Sequence, residues 1–246
     1  MDTILEIHNL TKHFGGLTAI NGISLGVTRG ELRCIIGPNG AGKSTLFNLI
    51  CGTLKPDSGD IIFKGGVVNS LGLDKRSRIG IGRKFQTPAI FDTLTVLENL
   101  QVAAWGFASL FGLMRGKQSE VQSLVEPVLA QVELQDRRDV AAATLSHGEK
   151  QWLEIGMALA RQPELLLLDE PTAGMTPAET HRTSLLIKSI SRNTTTVVIE
   201  HDLKFIREIG QIVTVLHHGA VLVEGPIDVI ANDDSVRRAY LGTREL

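Results

Sequence analysis

Eight consecutive residues, Gly37-Pro38-Asn39-Gly40-Ala41-Gly42-Lys43-Ser44, fit the pattern G-x-x-x-x-G-K-[ST]. Glycines at these spacings permit a bent backbone, and its N–H groups together with those of a following helix N-terminus can surround the anionic oxygens of a nucleotide. In that chemistry Lys43 reaches the β- and γ-phosphates, the Ser44 hydroxyl is offered to Mg²⁺, and Thr45 continues the loop into the helix. The plainer reading is a glycine-rich turn with a solvated lysine. It leaves unexplained why a buried-strand pattern precedes the loop and a helical pattern follows it. Much later the apolar run Leu165–Leu168 ends in Asp169-Glu170. A strand of that kind delivers Asp169 to a sheet edge, where it can hold Mg²⁺ through water, and sets Glu170 toward the γ-phosphate to polarise an attacking water. Alone, such an acidic pair commonly just faces solvent; beside a phosphate loop that reading loses most of its force.

The elements that must carry these groups are legible in outline. Ile4–Ile7 and Ile20–Val27 alternate with period two and are broken by Gly15-Gly16 and Arg29-Gly30, as paired strands are. Leu32–Ile36 reads as a buried strand, Lys43–Leu54 as a helix, and Ile61–Phe63 as a further strand after the turn Lys55–Gly59. The stretch from Leu94 to Val140 is helical in pattern and lacks strand signals. Leu165–Leu168 and Val197–Ile199 are buried-strand runs separated by a helix over Pro177–Ile190, the alternation of parallel α/β units. Ile212–Leu216 and Val221–Glu224 flank a hairpin turn, and Asp228–Tyr240 closes the sequence as a helix. The expected organisation is a nucleotide-binding core over about 1–91 and 163–225, a helical subdomain over about 92–162, and a helical tail over about 226–246.

Composition narrows the class. The 246 residues, 43% of them hydrophobic, suffice to bury a sizeable core and fit one large domain or two closely joined subdomains. A net charge of −2 from 25 basic and 27 acidic residues, interleaved, nominates no nucleic-acid partner. The two cysteines, Cys34 and Cys51, sit in apolar runs without metal-ligand spacing, which argues against disulfides and zinc. No signal peptide is evident at the start, and Glu98, Asn99 and Gln101 interrupt Leu94–Met114 before it reaches the roughly 20 apolar residues that a spanning helix needs.

Leu145-Ser146-His147-Gly148-Glu149-Lys150-Gln151, just ahead of the acidic strand, decides among nucleotide-hydrolysing classes. Ser146 can cap a helix whose first N–H groups, at Gly148 and its neighbours, form a second anion-binding terminus. Here the chain resembles the ABC ATPases, whose signature of type L-S-G-G-Q occupies this place. The resemblance implies an α/β fold with a P-loop NTPase (RecA-like) core, an N-terminal antiparallel β subdomain and an inserted helical subdomain. It also implies a head-to-tail dimer, in which Ser146, Gly148 and Glu149 of one subunit cap ATP held in the phosphate loop of an identical or sibling subunit. By the same resemblance Gln86 senses Mg²⁺, His201 contacts the γ-phosphate as a catalytic partner of Glu170 and Lys43, and Phe14 stacks on adenine. Alone, Gln86 reads as a loop residue, His201 as structural and Phe14 as core. Three departures stand out: His147 for a glycine at which positive φ would be awkward, Glu149 for a glutamine with Lys150 to offset its charge, and Thr176 for an aspartate.

Gly82–Pro88, Leu94–Leu100, Leu145–Gly148 and Ala173–Thr176 together resemble the ATPases of branched-chain amino acid importers, most of all their urea-transport branch. That implies ATP and Mg²⁺ as cofactors, two transmembrane permease subunits, a periplasmic solute-binding protein acting indirectly, and a peripheral place on the cytoplasmic face of a bacterial inner membrane. Trp105, Phe107, Leu110 and Phe111 are expected to form a surface near Gln86 for a short permease helix, with core packing as the competitor. Chromosome-maintenance ATPases of the same family carry a long coiled coil between the two motifs, whereas Lys43 and Ser146 are only about 100 positions apart without sustained heptads. Ribosome-associated relatives carry two cassettes. A lipopolysaccharide-export ATPase shares this size and remains the closest rival.

Overall fold

The computed structural model describes residues 2–84, 90–105 and 118–241. Strands β1 (Thr3–Phe14) and β2 (Leu17–Thr28) form an antiparallel hairpin, and β4 (Ser58–Phe63) with β5 (Gly66–Val67) extends it into a four-stranded sheet of order β2-β1-β4-β5. Leu5, Ile7 and Leu10 of β1 are buried; the step from Ile7 to Leu10 breaks period two at a bulge where Asn9 takes φ 47°.

A six-stranded sheet carries the chemistry, with order β10-β9-β3-β8-β7-β6. Its strands are β3 (Leu32–Ile36), β6 (Ile81–Lys84), β7 (Leu165–Asp169), β8 (Thr195–Ile199), β9 (Ile212–His217) and β10 (Ala220–Gly225). All neighbours pair in parallel except β9 and β10, a hairpin turning at His218 and Gly219, both with positive φ. Every residue of β3, β7 and β8 is buried, which is why these strands read as unbroken apolar runs. Alternate residues feed two cores. Ile35, Leu165 and Leu167 pack toward α1 (Lys43–Cys51) and the small sheet. Cys34, Leu166 and Leu168 pack toward a helical layer built from α3 (Val96–Trp105), α4 (Gln118–Gln131), α5 (His147–Leu159), α6 (Pro177–Ser191) and α7 (Leu203–Ile209).

The structure corrects several expectations. β1 and β2 are longer than the alternation suggested, because β1 is gripped on both sides, by β2 and by β4. Helix α1 stops at Cys51, where Gly52 takes φ 81° as its cap. The stretch 73–78 forms a short helix, α2 (Leu73–Arg78), and β6 follows it as an edge strand; neither was expected. The C-terminal segment is two helices, α8 (Ile227–Ile230) and α9 (Asp234–Leu241). Asp233 interrupts them by accepting hydrogen bonds from the Ser235 and Val236 N–H groups, so it starts a new helix instead of continuing the old one. Among the described residues no helix is long and apolar enough to cross a membrane.

Candidate nucleotide-binding site

The phosphate loop leaves the end of β3 and enters α1 at Lys43. Its glycines answer two steric demands. A Cβ on Gly37 would stand 2.2 Å from the Leu216 carbonyl oxygen, and Gly42, at φ 102°, would put one 2.6 Å from the Ala19 oxygen. The tip of the β9–β10 hairpin braces the same loop, Gly219 N–H donating to the Ala41 carbonyl. Lys43 folds over the loop and donates from Nζ to the carbonyls of Gly37 (2.6 Å) and Pro38 (3.1 Å). Burial pushes its pKa down, and the carboxylates of Glu170 and Asp169 work against that shift.

A cleft of about 310 Å³ opens beside the loop. Phe14, Leu17, Thr18 and Ala19 form one wall; Asn39 through Thr45 and Glu170 form the other. Phe14 is 46% exposed, so the ring is a free face at the mouth of the cleft and not part of the core. The Lys12 ammonium lies 5.7 Å from its centroid.

Asp169 ends β7 and is 1% exposed. Its Oδ2 accepts a hydrogen bond from Arg83 Nη2 at 3.0 Å, while Oδ1 is buried with no hydrogen-bond partner. Burial raises its pKa and the Arg83 charge opposes the rise. A buried, orphaned carboxylate oxygen at the end of β7 and an exposed serine on the phosphate loop are donors of the kind suited to a hard divalent cation with few protein ligands. Among the described residues no group of three or more His, Cys, Asp and Glu is placed to hold a metal by protein ligands alone.

Glu170 adopts φ 46°, a left-handed conformation that costs a non-glycine residue about 1–3 kcal/mol, and its N–H donates to the Ile199 carbonyl at 3.0 Å. That turn aims its carboxylate into the cleft. His201, just past β8, sets Nδ1 3.7 Å from Glu170 Oε1 and 3.6 Å from Glu200 Oε2.

Ser146 caps a helix as expected, while the contacts of the residues around it differ from the expectation. Ser146 caps α5 in a reciprocal box: its Oγ accepts from Glu149 N–H (3.2 Å), and Glu149 Oε2 accepts from Ser146 N–H (2.8 Å). Desolvation opposes the charge on Glu149, yet bonds from Ser146 and from Arg137 (3.0 Å) outweigh it and hold the carboxyl below its usual pKa. Arg137, not Lys150, thus offsets Glu149, and Lys150 pairs with Asp92 at 3.2 Å. His147 is the first residue of α5 and needs no positive φ; its Nε2 is 2.8 Å from the Ala173 carbonyl. Thr176 caps α6 in a second box with Glu179, whose carboxylate lies against Gly148 so closely that a Cβ there would meet it at 2.4 Å.

Phe14, the phosphate loop and Glu170 therefore share one cleft, with Asp169 and His201 at the same strand ends. Ser146, Gly148 and Glu149 do not line it. Pro38 and Gly37 shape the loop from behind through their carbonyls. Gln86 lies outside the described residues, as do Phe107, Leu110, Phe111 and the side chain of Trp105. Sequence reasoning passed over Arg83 and Glu200 and the cleft wall Leu17–Ala19. The wall could have been inferred from the β1–β2 turn that carries Phe14; the two charged residues gave no local signal.

Residues 20–173 match the ABC transporter family. The chain is 36% identical, over 97% of its length and 98% of the relative's, to the high-affinity branched-chain amino acid transport ATP-binding protein BraF of Pseudomonas aeruginosa. It superposes with a TM-score of 0.89 on an ATP-binding cassette of an ABC transporter in its ADP conformation, at 32% identity and covering 98% of this chain and 100% of that one. A dimeric ATP-binding cassette in a post-hydrolysis state, bound to ADP and Pi, superposes at 0.78 with 27% identity, covering 91% and 99%. The match over most of the sequence and the shared architecture give one answer: the chain belongs to the ABC transporter family, as an ATP-binding cassette that hydrolyses ATP.

Proposed function

We propose that this chain drives uptake of a small polar solute, a branched-chain amino acid, urea or a short amide, through two permease subunits, by binding ATP in the Phe14–Glu170 cleft and hydrolysing it. The observation that carries the reading is that the aromatic wall, the phosphate loop and Glu170 face one another across a single cleft. Phe14 offers a π face to the adenine. The loop N–H groups and Lys43 take the phosphates, Lys43 exchanging its two carbonyl partners for phosphate oxygens. Glu170 accepts the proton of the attacking water, and His201 holds the γ-phosphate beside it. Ser44 and the unpartnered oxygen of Asp169 would hold Mg²⁺, which supplies charge neutralisation at the phosphate oxygens.

Ser146 and the N-terminus of α5 serve a second subunit, identical or sibling, capping the nucleotide in the partner's cleft; that they do not line this chain's own cleft supports the role. Gln86 is proposed to link Mg²⁺ to the permease contact. The chain works at the cytoplasmic face of the membrane without entering it, and a periplasmic binding protein acts on it only through the permeases. The similarity to a branched-chain amino acid transport protein favours an importer over lipopolysaccharide export.

Paired measurements of ATP affinity and turnover test the reading. Glu170→Gln is expected to bind ATP within about threefold of wild type and to lose about 10²- to 10⁴-fold in turnover, whereas Lys43→Ala loses binding as well. Unchanged turnover in Glu170→Gln would exclude Glu170 as the acceptor of the water proton.

A further inference from the structure

Glu200 is a carboxylate with 1% exposure and no lysine or arginine partner among the described residues. Burying such a group costs several kcal/mol unless hydrogen bonds offset it, and the bonds it makes are specific. One oxygen accepts from the Thr172 backbone N–H at 3.1 Å and from the Thr172 hydroxyl; the other accepts from the His201 N–H at 3.0 Å. Thr172 sits in the turn that follows Glu170. The carboxylate thus joins the turn after one strand to the end of the next.

The same oxygen that receives the His201 N–H lies 3.6 Å from His201 Nδ1, and Glu170 Oε1 lies 3.7 Å from that atom. Nδ1 thus lies within ion-pair reach of two carboxylates, though beyond hydrogen-bond length, and ring geometry leaves Nε2 on the opposite edge. Carboxylates that fix one imidazole nitrogen so that the other can work are a recurrent device.

We infer that Glu200 is a positioning residue for ATP hydrolysis: anchored on Thr172, it orients the imidazole of His201 beside Glu170. The inference rests on the proposed role of His201, and no sequence motif pointed to it. Glu200→Gln is a sharp perturbation, because either orientation of the amide sets an N–H against the N–H of Thr172 or of His201.

The test is a cycle of Glu200→Gln, His201→Ala and the double variant in the purified full chain, reading kcat, the KM for ATP and the melting temperature. Misplacement of a group near the reacting atoms costs up to about 10²-fold, so Glu200→Gln is expected to lower kcat about 10- to 100-fold with KM within about threefold. In the His201→Ala background the same change is expected to lower kcat less than about threefold, because the group it acts through is gone. Wild-type kcat in Glu200→Gln, or losses that multiply in the double variant, would overturn the inference while leaving the role of His201 intact. Wild-type kcat in His201→Ala would overturn both. Should Glu200→Gln fail to fold, Thr172→Val takes its place in the cycle; it removes the hydroxyl donor to Glu200, keeps the side-chain shape, and is expected to lower kcat about 3- to 10-fold by the same argument, again with no further loss beside His201→Ala.

Discussion

Replacing Glu154 by Leu strands a buried lysine. Lys84 at the end of β6 and Glu154 on α5 form an ion pair at 3.4 Å, with side chains 2% and 7% exposed. That separation is longer than a good charge-assisted hydrogen bond of about 2.7–2.9 Å, and both Glu154 oxygens are buried without a hydrogen-bond partner. At an effective dielectric constant near 20 the attraction is about 5 kcal/mol, comparable with the several kcal/mol lost in desolvating each ion. The pair as a whole therefore adds little stability, while either charge left alone is expensive. Burial, which Lys84 opposes, raises the Glu154 pKa above 4.5. A carboxyl so raised binds its proton more tightly in the folded state, so its contribution to stability falls as pH climbs from 4.5 through the folded-state value. Glu154→Leu is expected to cost about 3–5 kcal/mol, a fall of about 6–20 °C in melting temperature for a chain of this size. The double variant Lys84→Met with Glu154→Leu is expected to return to wild-type stability or exceed it, and Glu154→Gln to flatten the dependence above pH 4.5. Urea unfolding followed by circular dichroism reads all three. A double variant no more stable than Glu154→Leu would refute the reasoning, because it would show that packing and not charge governs the site.

Three further outcomes follow from single contacts. Gly37→Ala puts a methyl 2.2 Å from the Leu216 carbonyl, so ATP affinity measured by titration is expected to fall at least about tenfold as the loop is pushed out of shape. Cys34, its pKa pushed up to about 12 chiefly by burial, is expected to resist iodoacetamide at pH 8 in the native chain and to react once urea unfolds it. His147→Ala removes the 2.8 Å contact with Ala173 and is expected to cost about 0.5–1.5 kcal/mol, read as a lower urea midpoint with unchanged m-value.

What the sequence disclosed and what it hid have a common physical basis. The phosphate loop was legible because Gly37, Gly42 and Lys43 stand at fixed spacing between a strand and a helix, although the groups that crowd the two glycines, Leu216 and Ala19, come from elsewhere in the sequence. The buried strands β3, β7 and β8 announced themselves because both their faces are covered. β6 did not, since Arg83 and Lys84 make Ile-Gly-Arg-Lys look exposed, and the acids that balance them, Asp169 and Glu154, come from distant segments. Glu200 was silent for the same reason, its partner Thr172 lying 28 positions away. The capping boxes at Ser146 and Thr176 were half visible. Ser146 was recognised as a cap, but the wiring of His147 to Ala173, and of Glu179 to Gly148, exists only in three dimensions. Of the residues read as departures from the family pattern, Glu149 and Thr176 are fastened into the caps of their own helices and His147 to the turn before α6.

The composite site is tested most directly by mixing Lys43→Ala chains with Ser146→Arg chains, using a wild-type preparation that hydrolyses ATP as the isolated chain for reference. Each variant alone has two defective sites per dimer. A mixed dimer holds one site with Lys43 from one subunit and Ser146 from the other, so an equal mixture is expected to recover about a quarter of wild-type hydrolysis. Recovery of none, with both variants folded and exchanging subunits, would contradict the account that ATP is held by one chain and sealed by the next.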